Sequence, residues 1–248
     1  KCALGELMAA SALLTATLKM SGSLVLQIQS KGALKLLVVE CNSEFGIRAT
    51  AKWKGEVSDE QNLFDLIAHA QFMITLDPKD GRQAYQGIVP LDQPTLAGCL
   101  TQYYDLSAQI PTHIVLATNS KRSGGLLIQL LPRNDEEEQK LVDEDLWPRL
   151  TMLTETLKPE ELTDLSANEI LYRLYNEEEV RLPEVEQLKF GCTCSKERCA
   201  NALIQIGVDA VHETLEAQNP IQMDCQFCNT RYEFSAEEAL GLFGEHLS

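Results

Sequence analysis

Four cysteines carry the clearest chemical signal in the sequence: Cys192-Thr193-Cys194 and, after thirty intervening residues, Cys225-Gln226-Phe227-Cys228. Deprotonated thiols are soft metal ligands. Two short-range pairs meeting across a loop readily supply a tetrahedral zinc site, with each sulfur about 2.3 Å from the ion. Tyr232 and Phe234 follow the C-x-x-C pair, as in the turn and strand of a zinc ribbon. Cys199 falls one helical turn beyond Ser195, and because four thiolates already complete a site it is read as a helix residue. Cys2, Cys41 and Cys99 are scattered. Tight pairs confined to one corner of the chain favour metal binding over the disulfide framework of a small secreted protein.

Such a cluster serves one of two purposes. A structural zinc ion is worth on the order of 10 kcal/mol of folding free energy to a unit too small to build a large core. Thiolates are also what oxidants attack, and each pair can close on itself, so an accessible site can be oxidised with loss of metal and of the fold it supports. Spacing alone leaves the structural knuckle and the redox switch both open. Other chemistries find less support. A disulfide oxidoreductase places C-x-x-C between a strand and a long helix, whereas this motif precedes Tyr232 to Phe234. A Cys99 nucleophile with His113 is disfavoured because Cys99 lies in the apolar stripe of Leu96, Cys99 and Leu100. Gly124-Gly125 reads as a turn before a strand rather than a phosphate cradle. No catalytic residue is assigned, and the chain is not expected to be an enzyme.

The elements that position the cysteines fall into three stretches. Residues 1–134 carry 12 basic and 11 acidic side chains. Helical spacing runs from Leu4 to Lys19, and the helix signal is already under way near Lys1, which raises the prospect that the natural chain begins earlier. Strand signals cover Leu24 to Ile28, Leu34 to Val39, Phe45 to Trp53, Phe72 to Leu76, Tyr85 to Val89, His113 to Ala117 and Leu126 to Leu131, with helices over 62–70 and 96–104. Helices interrupting short, hairpin-spaced strands predict an α+β fold: an N-terminal mixed sheet-and-helix domain, a helical linker and a small C-terminal zinc domain.

Residues 135–187, the expected linker, carry 5 basic and 17 acidic side chains. The run Asp135-Glu136-Glu137-Glu138 opens a helical pattern through Leu141, Leu146, Leu150 and Leu153 that is broken by Pro148 and ended before Pro159. Ser166-Ala167-Asn168-Glu169 is a capping box leading into the stripe Ile170, Leu171, Leu174 and Tyr175. Short, strongly acidic helices depend on docking to stay folded, so the linker is expected to be metastable. Residues 188–248 form the third stretch: a helix from Ser195 to about Gly207, another over Val208 to Ala217, and a third capped by Ser235 and Glu238. The net charge of −16 repels a phosphate backbone and argues against a nucleic-acid partner. No stretch approaches the ~20 apolar residues of a membrane span, so a soluble protein is expected.

Phe190-Gly191-Cys192-Thr193-Cys194-Ser195 and Cys225-Gln226-Phe227-Cys228, with Tyr232 and Phe234 behind them, resemble the zinc motif of the 33 kDa chaperonin (heat shock protein 33) family. Leu13 to Lys19, Tyr85-Gln86-Gly87, Gly124 to Gln129 and Asn168 to Tyr175 are similar to further family segments, so the resemblance spans nearly the whole chain. Ala108 stands where the family usually carries an acid, and the family has further residues before the first helix. The resemblance implies a cytoplasmic, redox-regulated, ATP-independent holdase that binds unfolding client proteins. In the reduced, inactive form one zinc ion per chain is held by Cys192, Cys194, Cys225 and Cys228. Hypochlorous acid, or peroxide with mild heat, then forms the disulfides Cys192–Cys194 and Cys225–Cys228, expels zinc and unfolds the linker. Activation is linked to homodimerisation.

Overall fold

A computed structural model describes residues 1–19, 21–58, 61–131, 143–182 and 184–244. Helix α1 (Cys2–Thr17) is followed by three antiparallel strands, β1 (Gly22–Gln29), β2 (Leu34–Asn42) and β3 (Gly46–Trp53). A short helix α2 (Leu63–Leu66) leads to β4 (Gln71–Pro78) and β5 (Tyr85–Val89), giving the order β5-β4-β1-β2-β3. Alternation in β1 turns Leu24, Leu26 and Ile28 into the core. The register sets them opposite Leu76, Ile74 and Phe72 of β4.

The helix expected over 62–70 is only one turn long. Asn62 and Asp65 form a capping box that starts it, but Ile67 is already extended. Hydrogen bonds from outside the segment override its propensity. The Ala68 N–H donates to the Ser30 hydroxyl at 3.1 Å and the Ala68 carbonyl accepts from the Lys31 N–H at 2.8 Å, pulling the chain toward β4.

Helix α3 (Leu96–Tyr103), capped by the Thr95 hydroxyl, runs into a π-helical turn over Tyr104–Ala108 that ends on Gln109 in the left-handed region. Strands β6 (Thr112–Thr118) and β7 (Ser123–Gln129) then form a separate hairpin. Gly124 and Gly125, read from sequence as a turn, are strand residues paired with Ala117 and Leu116. Glycine is needed there for close approach rather than for turning: a Cβ on Gly125 would meet the Leu13 side chain at 2.6 Å.

Helix α1 lies between the two sheets, touching β1, β2 and β3 on one side and β6 and β7 on the other, which explains why it is apolar around most of its girth. The hairpin's two faces separate cleanly. Ile114, Leu116 and Leu127 join the α1 core, while Val115, Ala117, Leu126 and Ile128 face a second cluster built from the acidic helices.

Those helices are α4 (Leu146–Glu155), α5 (Pro159–Asp164) and α6 (Ala167–Tyr175). The Asp135 to Glu138 run and Leu141 lie outside the described residues. Pro148 does not break the pattern. It is the third residue of α4, where its missing N–H has no intrahelical acceptor to lose. Leu150, Leu153, Leu157, Leu162, Ile170, Leu174 and Tyr175 cover the hairpin. Thr154, fully buried, is hydrogen-bonded to the Tyr175 hydroxyl and donates to the Leu150 carbonyl at 2.7 Å. At the surface, Arg149 reaches Glu178 at 2.7 Å and Asp143 at 2.9 Å, and Arg173 reaches Glu161 at 2.7 Å. After α6, the two-residue strand β8 (Lys189–Phe190) pairs parallel with the start of β3 and completes a six-stranded sheet.

The chain divides into two compact units, Lys1–Phe190 and Gly191–Ser248. The second contains α7 (Lys196–Ile206), α8 (Val208–Ala217), the hairpin β9 (Ile221–Asp224) and β10 (Arg231–Phe234), and α9 (Ala236–Gly244). Its buried apolar core is Leu203, Val211, Ile221, Phe234 and Ala239, small for its length. The architecture is α+β throughout.

Candidate metal centre

Cys192 and Cys194 sit on the extended chain just before α7, whose N-cap is Ser195, its hydroxyl accepting from the Arg198 N–H at 3.2 Å. Thr193, between them, accepts a hydrogen bond from Arg198 Nη1 at 2.7 Å, which fixes the knuckle against the first turn of the helix. Cys225 and Cys228 occupy the turn joining β9 to β10. The Cys225 N–H donates to the Thr230 carbonyl and the Asn229 N–H to the Cys225 carbonyl, each at 2.9 Å, with Asn229 in the left-handed region. Asp224 and Arg231 close the base of that turn through an ion pair at 2.8 Å.

These two knuckles bring all four sulfurs within 4.8 Å of one another. Cys192 Sγ is 3.6 Å from Cys225 Sγ, and Cys194 Sγ is 3.4 Å from Cys228 Sγ. A tetrahedron with metal–sulfur arms of 2.3 Å has edges of about 3.8 Å, so the cage has the dimensions of a tetrahedral thiolate site. Four sulfurs and no oxygen suit a soft or borderline cation.

The electrostatics of the cage without a cation make the same point. Cys228 is held down at about 6 by its hydrogen bonds with the Thr230 hydroxyl and N–H. The Tyr232 hydroxyl also pulls Cys194 down. The neighbouring thiols of Cys192 and Cys228 outweigh it, and Cys194 is pushed up to about 12. Four negative charges cannot share this volume unaided, and a divalent cation is what would let all four sulfurs stay deprotonated.

The remaining cysteines lie outside the cage. Burial pushes up the thiols of Cys41 and Cys99, and Cys99 donates to the Gln93 carbonyl at 3.7 Å as a core residue. Cys199 packs against the core of the second unit. Two participants escaped the sequence reading. The Tyr232 hydroxyl donates to Cys194 Sγ at 3.2 Å, and Thr230 Oγ1 lies 3.1 Å from Cys228 Sγ. Tyr232 stood out in the sequence only as a strand aromatic. The alternation Tyr232, Phe234 puts both side chains on one face of β10, and this was the available clue that they share an environment.

The family model described as Hsp33 protein matches residues 1–235. A 33 kDa chaperonin from Methylobacillus flagellatus is 49% identical over 242 residues, covering 97% of this chain and 81% of that protein. One from Pseudomonas fluorescens is 45% identical, covering 97% and 80%. The crystal structure of a 33 kDa chaperonin from Thermotoga maritima superposes with a TM-score of 0.81 at 22% identity, covering 99% of this chain and 86% of that one, and so shares its fold. No described helix is long and apolar enough to cross a membrane. Its sequence along nearly the whole length, and the fold that sets four sulfurs in one cage, place this chain in the Hsp33 family of chaperones.

Proposed function

We propose that this protein is a redox-regulated, ATP-independent holdase of the cytoplasm, whose reduced form holds one zinc ion through Cys192, Cys194, Cys225 and Cys228. The observation that carries the proposal is the all-sulfur cage within 4.8 Å, set in a unit with only a small apolar core. Bound zinc would supply folding free energy on the order of 10 kcal/mol and keep the sulfurs as thiolates. Those thiolates, half-buried rather than sealed, remain open to small oxidants.

Oxidation to Cys192–Cys194 and Cys225–Cys228 consumes all four ligands, and the Gly191–Ser248 unit loses the support its core cannot replace. We assign the metastable linker to residues 135–187, between a chaperone core over 1–134 and a redox-switch domain over 188–248. Its described helices α4 to α6 cover the apolar face formed by Val115, Ala117, Leu126 and Ile128, so their unfolding exposes surface suited to unfolded or partly folded clients. The activated form acts as a homodimer, with neither nucleic acid nor membrane as partner, and no residue is assigned a catalytic role. The disulfide-oxidoreductase alternative is disfavoured by the position of Cys225 and Cys228 in a hairpin turn rather than at a helix N-terminus.

The test follows zinc release with a colorimetric chelator beside light scattering from an unfolding client, under hydrogen peroxide and mild warming. One zinc per chain should be released as protection appears. Complete metal loss with no gain in protection would reduce the cage to a structural knuckle, and catalytic turnover of insulin disulfides would favour the oxidoreductase.

A further inference from the structure

The two cysteine knuckles are not chemically equivalent, because a phenol from one hairpin reaches a sulfur of the other knuckle. Tyr232 lies on β10, in register with Met223 of β9, and its ring packs against the Leu203, Val211, Ile221 and Phe234 core. Its hydroxyl therefore meets Cys194 Sγ at 3.2 Å from a rigid platform rather than from a loop. At the other knuckle, Thr230 is part of the turn itself and sits beside Cys228 at 3.1 Å. That contact is exposed, whereas the one between Tyr232 and Cys194 is partly buried.

We propose that Tyr232 is a positioning residue that slows oxidation of Cys194, and with it closure of the Cys192–Cys194 pair. The inference rests on the redox reading above. A hydroperoxide attacked by a cysteine thiolate is cleaved at its O–O bond: one oxygen forms the S–O bond of a sulfenic acid and the other leaves as hydroxide or alkoxide. The second thiolate of the pair then attacks that sulfur, forming the S–S bond and releasing hydroxide. Each knuckle thus gives up two electrons to one hydroperoxide, and the four ligand sulfurs consume two.

In the first step the sulfur donates the lone-pair density that the Tyr232 O–H stabilises. The hydrogen bond is strongest to the charged sulfur and weakens as charge passes to oxygen, so it favours the ground state over the transition state. The phenol also occupies one side from which a peroxide could approach. Removing the hydroxyl alone should speed Cys194 oxidation about fivefold, which corresponds to ~1 kcal/mol of barrier.

The experiment is a time course of both disulfides by differential alkylation and mass spectrometry, on the full zinc-loaded chain treated with hydrogen peroxide, for wild type, Tyr232→Phe and Thr230→Val. Zinc affinity is measured in parallel by chelator competition. Tyr232→Phe is expected to raise the rate of Cys192–Cys194 closure relative to Cys225–Cys228 about fivefold with affinity unchanged. Thr230→Val is expected to move the ratio the opposite way. An unchanged ratio in Tyr232→Phe overturns the proposal, as does equal acceleration of both pairs with weakened zinc binding, since a merely structural role would produce it. A shift in the same direction in both variants also overturns it. If wild type forms neither local disulfide, the redox reading itself falls and takes this inference with it.

Discussion

The carbonyl oxygen of Leu162 lies 2.3 Å from the point a Cβ on Gly124 would occupy, so α5 rests directly on the backbone of β7. Backbone cannot swing aside as a flexible side chain does, and Gly124→Ala must push α5 off the hairpin. The expected cost is about 1–3 kcal/mol, the usual range for an added methyl group in a filled core. Hydrogen exchange over α4 to α6 should accelerate in the reduced, zinc-loaded variant. On the proposed mechanism, part of the client protection should appear without oxidant. Unchanged exchange would show that the contact relaxes elsewhere.

Arg149 gives the acidic helices an acid-sensitive fastening. Its hydrogen bonds hold the carboxyls of Asp143 and Glu178 below their ordinary values. A carboxyl lowered in the folded state contributes stability above its unfolded value and loses it as pH falls through the folded one. The fastening is therefore intact at neutral pH and weakens from about pH 4 downward. All three groups face solvent, so the effect is modest and should shrink with added salt. Melting of Arg149→Gln and wild type across pH 3–7 should differ at neutral pH and converge in acid. A constant difference would assign the effect to packing of the arginine stem.

Inside the same layer, Thr154 and Tyr175 share a fully buried hydrogen bond. Tyr175→Phe leaves Thr154 its bond to the Leu150 carbonyl, so the loss should be near 1 kcal/mol. Thr154→Val instead strands the Tyr175 hydroxyl and should cost more, up to ~3 kcal/mol. Denaturant titrations that rank the two in reverse would mean that the Tyr175 hydroxyl finds another partner once the Thr154 hydroxyl is gone.

Metal removal should act on the second unit alone in its first stage. Cys225→Ser, or chelation of the wild-type chain, is expected to lose the circular-dichroism signal of α7, α8 and α9 while the first unit keeps a cooperative melt. Metal affinity should fall with falling pH, because each sulfur must lose its proton to bind. Persistence of the helices without metal would show that Leu203, Val211 and their neighbours suffice for folding.

Much of this was legible in the residues. Period-2 alternation located β1, the serine caps located α6 and α7, and the four cysteines announced their own cage because ligand chemistry leaves few alternatives. Apart from Pro148, whose place in the first turn of α4 is a local matter, the failures trace to contacts between segments distant in sequence. Helix α2 stops early because Ser30 and Lys31 engage Ala68. Gly124 is a strand residue because α5 needs its bare backbone. Strand β8, two residues long, carries no periodic signal at all. The Tyr232 bond to Cys194 joins residues 38 positions apart, which no local pattern encodes.

Among the described residues, strand β8 covers only Gly46 and Ile47, leaving the rest of β3 as the outer margin of the six-stranded sheet. Such a margin invites a second chain to add on, and Trp53 at its far end, 60% exposed, would make the invitation greasy. Lys52 and Lys54 stand beside it as gatekeepers, since two molecules approaching edge to edge would bring like charges together. A member of a chaperone family has reason to guard this border, and Lys52→Val with Lys54→Val should clump on warming where the parent stays clear.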